Sequence, residues 1–325
     1  MDRQDEQDGF ERVRAWYRRF AEHYEAGGAG SYAEIARALA GDEEMVGRVL
    51  ALPGDNKRQP HLLLGAVRFL GGPVDGWAVF RPWVVEHWDR VRAVVLERMT
   101  QTNEVRRCAA LLPVLARLEG PLGLVEVGAS AGLCLYPDRY AYSYDGAAPV
   151  GEGPVVLECA TSGGVPVPER VVEVAWRAGV DLNPLDVCDE RDVRWLESLI
   201  WPGAHEAERR ERLRAAAAVV AAAGRPPIVA GDLLEVVADL VGRVPAGVTP
   251  VVFHGAVLTY LPLAERERFA RLVEGLPGHW VSYEGWRVLP WIEGARPPVA
   301  TDLTVAVDGR VVAWAGEHGQ SLTWA

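Results

Sequence analysis

Residues 123–135 read GLVEVGASAGLCL. Leu124, Val125 and Val127 form an apolar run that predicts a buried strand, broken at Gly128, with a helix restarting after Gly132. Glu126 stands near the strand's end, and Gly128, Ser130 and Gly132 make a turn of small residues. Such a turn lets backbone N–H groups and a first helical turn approach a nucleotide closely. An acid beside it can hold a hydroxyl or the cationic end of the same ligand. Strand, acid, small turn and helix predict the nucleoside crevice of an open α/β sheet.

Downstream, the same alternation repeats. Tyr136, Tyr140, Tyr142 and Tyr144 fall at even positions and lead to Asp145-Gly146, a hairpin-type turn, followed by an extended run at Val155–Cys159. GVDLNP (179–184) and IVAGD (228–232) each read as a strand ending in an acid, Asp181 and Asp232. VVFH (251–254) is a fourth strand, with a helix over Leu263–Glu274, and WVSYE (280–284) is a fifth. Leu303–Trp314 reads as an antiparallel hairpin about Asp308-Gly309. The expected core is therefore a mainly parallel sheet with an antiparallel edge.

Upstream, residues 1–120 read as helices throughout. Phe10, Val13, Tyr17, Phe20 and Tyr24 share one face, and Ser31 with Glu34 has the form of a capping box. Pro60 suits a first helical residue. Such a region can serve as a lid, a substrate platform or a homodimerisation surface. Two domains are expected, 1–120 and 121–325, the second with a Tyr-rich hairpin insertion near 136–160.

Composition narrows the partners. The net charge of −11 over 325 residues offers no basic excess for a nucleic-acid backbone. Lys57 is the single lysine, a bias consistent with a GC-rich bacterial genome. Cys108, Cys134, Cys159 and Cys188 are widely spaced, without a CxxC pair or clustered histidines. Reduced core thiols in a cytoplasmic protein are expected from this pattern, and no metal. The charged start MDRQDEQDGFERVR does not read as a signal peptide, and no run of 18 apolar residues could span a membrane.

The motif order over residues 120–325 resembles the class I S-adenosylmethionine-dependent methyltransferases. LVEVGASAG (124–132) matches the cofactor loop, GVDLNP and VAGDLLE (229–235) the acids after the second and third strands, and VVFHGAVLTYL (251–261) the fourth. The set QTNEVRRCAALLP (101–113), EVGASAGL, PDRYAYSY (137–144), GVDLNP, RWLESLIWP (194–202) and GDLLE (231–235) is similar to one uncharacterised bacterial family, domain-of-unknown-function family 2332. The methyltransferase resemblance implies S-adenosylmethionine as cofactor and methyl or other group transfer to a small molecule. It places Glu126, Gly128, Ser130 and Gly132 beside the methionine and ribose portions. Asp181 becomes the acceptor of ribose hydroxyls, and Asp232 with Leu233 the adenine contact. Asp181 follows Glu126 by 55 positions, and Glu158 is the alternative ribose acid; Glu158 sits inside its run, whereas Asp181 has the strand-acid-turn form.

Two other classes share the motif. Gly128-Ala-Ser130-Ala-Gly132 matches G-x-S-x-G, the nucleophile elbow of serine hydrolases, with Asp181 or Asp232 and then His254 or His318 in hydrolase order. A non-catalytic nucleotide-binding scaffold is the third reading. For acid–base work the candidates are His254 at the fourth strand's end, Glu104 and Tyr260. The polar heptad Gln101–Arg107 can fold over the crevice, where Arg106 or Arg107 would meet a carboxylate. Asn103, Arg106, Asp138, Tyr140, Trp201 and Glu284 are the substrate-side candidates. Each has a plain structural reading as well: a helix cap, a salt bridge or core packing.

Overall fold

A computed structural model of the chain describes residues 3–101 and 103–325, with side chains from Gln7 onward. Met1, Asp2 and the heptad's Thr102 lie outside the described residues. The chain forms two compact units, Met1–Thr102 with Asp189–Glu211, and Asn103–Cys188 with Arg212–Ala325. Helical residues up to 120 are thus divided, with 103–120 joining the sheet unit.

In the first unit the elements are α1 (Arg3–Ala26), α2 (Gly30–Gly41), α3 (Glu43–Leu50), α4 (Gly54–Lys57), α5 (Pro60–Phe69), α6 (Trp77–Glu86) and α7 (Trp88–Glu97). Pro60 opens α5, whose residues are buried on every side except at Arg68. Asp42 caps α3 by accepting from the Met45 N–H at 2.9 Å. The capping box at Ser31 does not form: α2 starts at Gly30 without a side-chain cap, and Glu34 instead accepts from the Trp77 N–H.

The second unit holds α8 (Arg107–Leu115), β1 (Leu122–Val127), β2 (Ala141–Tyr144), β3 (Val156–Ser162) and β4 (Val174–Asp181). Next along the chain come α9 (Glu190–Ser198), in the first unit, and α10 (Glu206–Ala223), which enters the second unit at Arg212. β5 (Ile228–Ala230), α11 (Leu233–Gly242), β6 (Thr249–Gly255), α12 (Leu263–Glu274), β7 (His279–Gly285), β8 (Leu303–Val307), β9 (Arg310–Ala315) and β10 (Ser321–Trp324) complete the fold. The strands make one sheet in the order β2-β3-β10-β9-β8-β7-β6-β1-β4-β5. Pairing is parallel except along β7-β8-β9-β10. β1 is buried at every position, as its apolar run requires of a central parallel strand. Val125, Val127, Ala178, Val180 and Val252 pack with Val237 and Leu240 of α11 and Phe269 of α12. Each such valine, leucine or phenylalanine side chain contributes about 1.5–3 kcal/mol on burial. Among the described residues, no helix is long and apolar enough to cross a membrane.

Further local expectations are corrected. The helix after Gly132 is replaced by 3-10 turns at Leu133–Leu135 and Pro137–Arg139. Pro137 has no N–H to donate and holds Tyr136 outside the helical region (φ −117°, ψ 44°). The Tyr-rich segment is also not a hairpin, because β2 and β3 are parallel, Ala141 beside Val156 and Tyr144 beside Cys159. Asp145-Gly146 does reverse the chain, but antiparallel pairing lasts for one bridge, Tyr142 with Val150. The return then passes so close to the start of β2 that a Cβ on Gly153 would lie 2.2 Å from the Arg139 carbonyl oxygen. That approach sets β3 beside β2 in the same direction. The hydroxyls of Tyr140, Tyr142 and Tyr144 donate inward to the carbonyls of Leu133, Pro137 and Ala109. The terminal hairpin continues into β10, which sequence reasoning missed, and Cys188 is exposed where a core thiol was expected.

Candidate functional site

Connections from β1 through β4 to β5 build the sheet one way, and β6 and β7 extend it the other. The order reverses between β1 and β6, and an open α/β sheet has its crevice beyond the carboxyl ends at that point. The Gly128–Gly132 loop follows β1 there, and β4 delivers Asp181 beside it, Val127 pairing with Val180. β5 lies next to β4, with Asp181 opposite Ala230, so Asp232 is two residues past the neighbouring strand end.

Gly128, Ser130 and Gly132 all have left-handed backbones, with φ of 72°, 52° and 72°. A Cβ on Gly128 would sit 2.4 Å from Val257, so glycine is needed for packing as well as for conformation. The loop's N–H groups are turned to the protein rather than to a ligand. Gly128 and Ala129 donate to the Val180 carbonyl, Ser130 to Asp181 Oδ2 at 2.8 Å, and Gly132 to the Ala129 carbonyl. Asp181 Oδ1 accepts from the Asn183 N–H at 2.8 Å. Asp181 therefore fastens the loop.

Polar atoms around this loop lack partners. Asn103 Nδ2 straps the loop by donating to the Ala129 carbonyl at 2.8 Å, while Asn103 Oδ1, Ser130 Oγ and Glu126 Oε2 are buried without a hydrogen bond. Native proteins rarely leave such atoms unpaired, and each is costly unless something completes it. Burial pushes the Glu126 carboxyl well above the usual range, the charges of Cys134 and Asp181 push the same way, and Arg107 opposes them.

The remaining candidates are largely structural. His254 is fully enclosed: Trp280 Nε1 donates to its Nε2 at 3.0 Å, and its Nδ1 meets Glu284 Oε1 at 2.8 Å. That pattern assigns the Nδ1–H tautomer and leaves no ring nitrogen to act as a base. Glu284 also accepts from the N–H groups of Val257 and Leu258, shaping the turn after β6 rather than touching a substrate. Glu104 is held by Arg212 through two bonds, 2.8 and 3.1 Å, with both side chains buried. Asp138 makes a paired contact with Arg177 at 2.9 and 3.0 Å, and Tyr140 is buried with its hydroxyl on Leu133. Trp201 belongs to the helical unit, packed edge-on against Tyr24 and His23. Arg106 Nε donates to the His318 carbonyl. Asp232 is exposed and caps α11 through the Leu234 N–H, with Leu233 half-buried behind it. Glu158 is exposed on β3, six strands from β1, or roughly 29 Å at ordinary strand spacing. That distance removes it as a ribose acid for this crevice. Tyr260 is 61% exposed on the turn after β6.

Arg107 is the residue that sequence reasoning could not separate from its neighbour. It is 6% exposed at the start of α8, with Nε donating to the Glu317 carbonyl and Nη1 to the Gly255 carbonyl at the end of β6. Its four-residue offset from buried Leu111 was the available signal.

These features define an α/β protein with a polar site at the strand ends of a parallel sheet core. A family model described as "Uncharacterized protein conserved in bacteria (DUF2332)" matches residues 14–324, and the chain belongs to that family. No curated protein and no solved structure gives a significant match.

Proposed function

We propose that this chain is an S-adenosylmethionine-binding enzyme that transfers a methyl or other group to a small-molecule acceptor, on a Rossmann-like, class I methyltransferase-type sheet. The observation that carries the reading is the meeting of Glu126, the Gly128–Gly132 loop and Asp181 at adjacent carboxyl ends, with buried polar atoms there awaiting partners. The order β5-β4-β1-β6-β7 is the 3-2-1-4-5 order of doubly wound nucleotide folds. The residues fit the cofactor: Glu126 Oε2 suits its cationic end, Asp181 its ribose hydroxyls and Asp232 its adenine amino group. When bound, that cofactor supplies an activated methyl group. The chain's part is to orient and to exclude water, since placing two reactants in line supplies much of such a rate. Titration calorimetry of the full chain with S-adenosylhomocysteine should show saturable one-site binding. Absence of binding at millimolar ligand rules the reading out, and binding without turnover on any acceptor assigns the scaffold role.

Glu126 makes that binding pH-dependent. A raised folded pKa means that the neutral acid suits the fold. Its stabilising contribution is then complete below the unfolded value of about 4.3 and is lost as pH climbs towards the folded one. Glu126→Gln should therefore be more stable than wild type at pH 8 and bind S-adenosylhomocysteine at least about tenfold more weakly. A cation drawn to Oε2 favours ionisation, so wild-type binding should release a proton wherever the unliganded carboxyl is still protonated, visible as a dependence of enthalpy on buffer. Equal stability and buffer-independent enthalpy would remove Glu126 from the site.

The hydrolase reading draws on Ser130, whose left-handed backbone and unpartnered Oγ are those of an elbow serine. His254 cannot serve it, with both ring nitrogens engaged. Ser130→Ala should change S-adenosylhomocysteine affinity by less than about threefold, a contact worth under ~0.7 kcal/mol. Fluorophosphonates should leave Ser130 unlabelled. Stoichiometric labelling, abolished by His318→Ala, would move the protein to the hydrolases.

A further inference from the structure

Among the described residues, Arg98, Arg107 and Arg212 are each less than 9% exposed. Arg98 has Asp192 and Arg212 has Glu104. Among the described residues Arg107 pairs with no carboxylate, and its Nη2 has no partner, while Nε and Nη1 are fixed by the Glu317 and Gly255 carbonyls at 3.1 and 3.0 Å. A buried, uncompensated guanidinium is costly, and carbonyl contacts neutralise none of its charge.

We propose that Arg107 binds a carboxylate of the acceptor, so that the small molecule modified by this protein is a carboxylic acid. The word acceptor rests on the group-transfer reading above; the carboxylate rests on Arg107 itself. The two fixed nitrogens lock the guanidinium plane and leave Nη2 for an incoming oxyanion, a role for which the planar arginine fork is better suited than lysine. Its side of the crevice points to the acceptor rather than the nucleoside. Gly255 ends β6, across the switch from Asp181 on β4 and Asp232 after β5. Tyr260, a residue largely exposed on the turn after β6, offers a second donor. Glu126, the nearby acid on β1, makes no ion pair with the guanidinium, and burial pushes its carboxyl well above the usual range.

The test uses the full chain as wild type, Arg107→Lys and Arg107→Gln, with benzoate and acetate against benzamide and acetamide. S-adenosylhomocysteine and 5′-methylthioadenosine, which lacks the amino-acid portion, are titrated in parallel. Circular dichroism checks folding, and Arg107→Lys keeps a donor for the Gly255 carbonyl should Arg107→Gln unfold. Carboxylates, not amides, should raise the wild-type melting temperature and bind saturably. Arg107→Lys should weaken that binding at least about tenfold, leaving S-adenosylhomocysteine within about threefold. Carboxylate binding that is absent from wild type, or as tight in both variants as in wild type, overturns the proposal. So does a loss of S-adenosylhomocysteine affinity in Arg107→Lys with 5′-methylthioadenosine unchanged, which would give the guanidinium to the cofactor's own carboxylate. If carboxylates behave as expected while S-adenosylhomocysteine does not bind wild type, the carboxylate site stands and the group-transfer reading falls.

Discussion

Asp181→Ala is expected to lower ligand affinity and stability together. The carboxylate accepts the N–H groups of Ser130 and Asn183, both at 2.8 Å, and tethers the loop after β1 to the end of β4. A hydrogen bond to a charged group contributes about 1.5–3 kcal/mol, and the position is half-buried, so about 2–4 kcal/mol is the expected loss in urea denaturation. If the same carboxylate receives ribose hydroxyls, S-adenosylhomocysteine should bind about 10- to 150-fold more weakly. Asp181→Asn keeps one oxygen acceptor and should recover part of both. A stability loss with unchanged affinity would leave Asp181 as a loop fastener alone.

Glu104 and Arg212 should show the other large effect. Both side chains are buried, and they meet through two bonds between the segment before α8 and the α10 helix. Removing one partner strands the other charge in a medium that solvates it poorly. Glu104→Ala or Arg212→Ala should cost about 3–5 kcal/mol. Glu104→Leu combined with Arg212→Met removes both charges and should return to within about 1 kcal/mol of wild type, because the pair's attraction mainly offsets its own desolvation. A double variant no better than either single one would mean that geometry, not charge balance, fixes this contact.

The order of strands and acids was legible because each is encoded locally. Val-Leu-Ile runs closed by glycine or aspartate place β1, β4, β5, β6 and β7 within a few residues, and α12 matches at both ends. The Tyr-rich segment was not legible. Alternating aromatics describe a half-buried strand, but whether the next strand runs back or alongside depends on the close passage of Gly153 over Arg139, a contact between distant backbone atoms. Site residues failed for a related reason. His254, Glu104 and Asp138 have the chemistry of catalysis, yet each is taken by a partner 26 to 108 residues away: Trp280, Arg212 and Arg177. Sequence shows which groups could titrate; only packing shows which are already engaged. Arg107 is the converse, one of two adjacent arginines, set apart because carbonyls rather than a carboxylate hold it.

The placement of β10 bears on how the chain is made. β10 lies between β9 and β3, and Ser321 pairs with Ala160, 161 positions earlier. At ribosomal speeds of about 5–20 residues per second, that interval lasts roughly 8–32 seconds. Throughout it, β2 and β3 exist as a two-strand ribbon whose inner edge has no partner, and a pair of that size is marginal in water. The nascent protein thus carries an open strand edge throughout that interval, the state in which edge-to-edge pairing with another chain competes with folding.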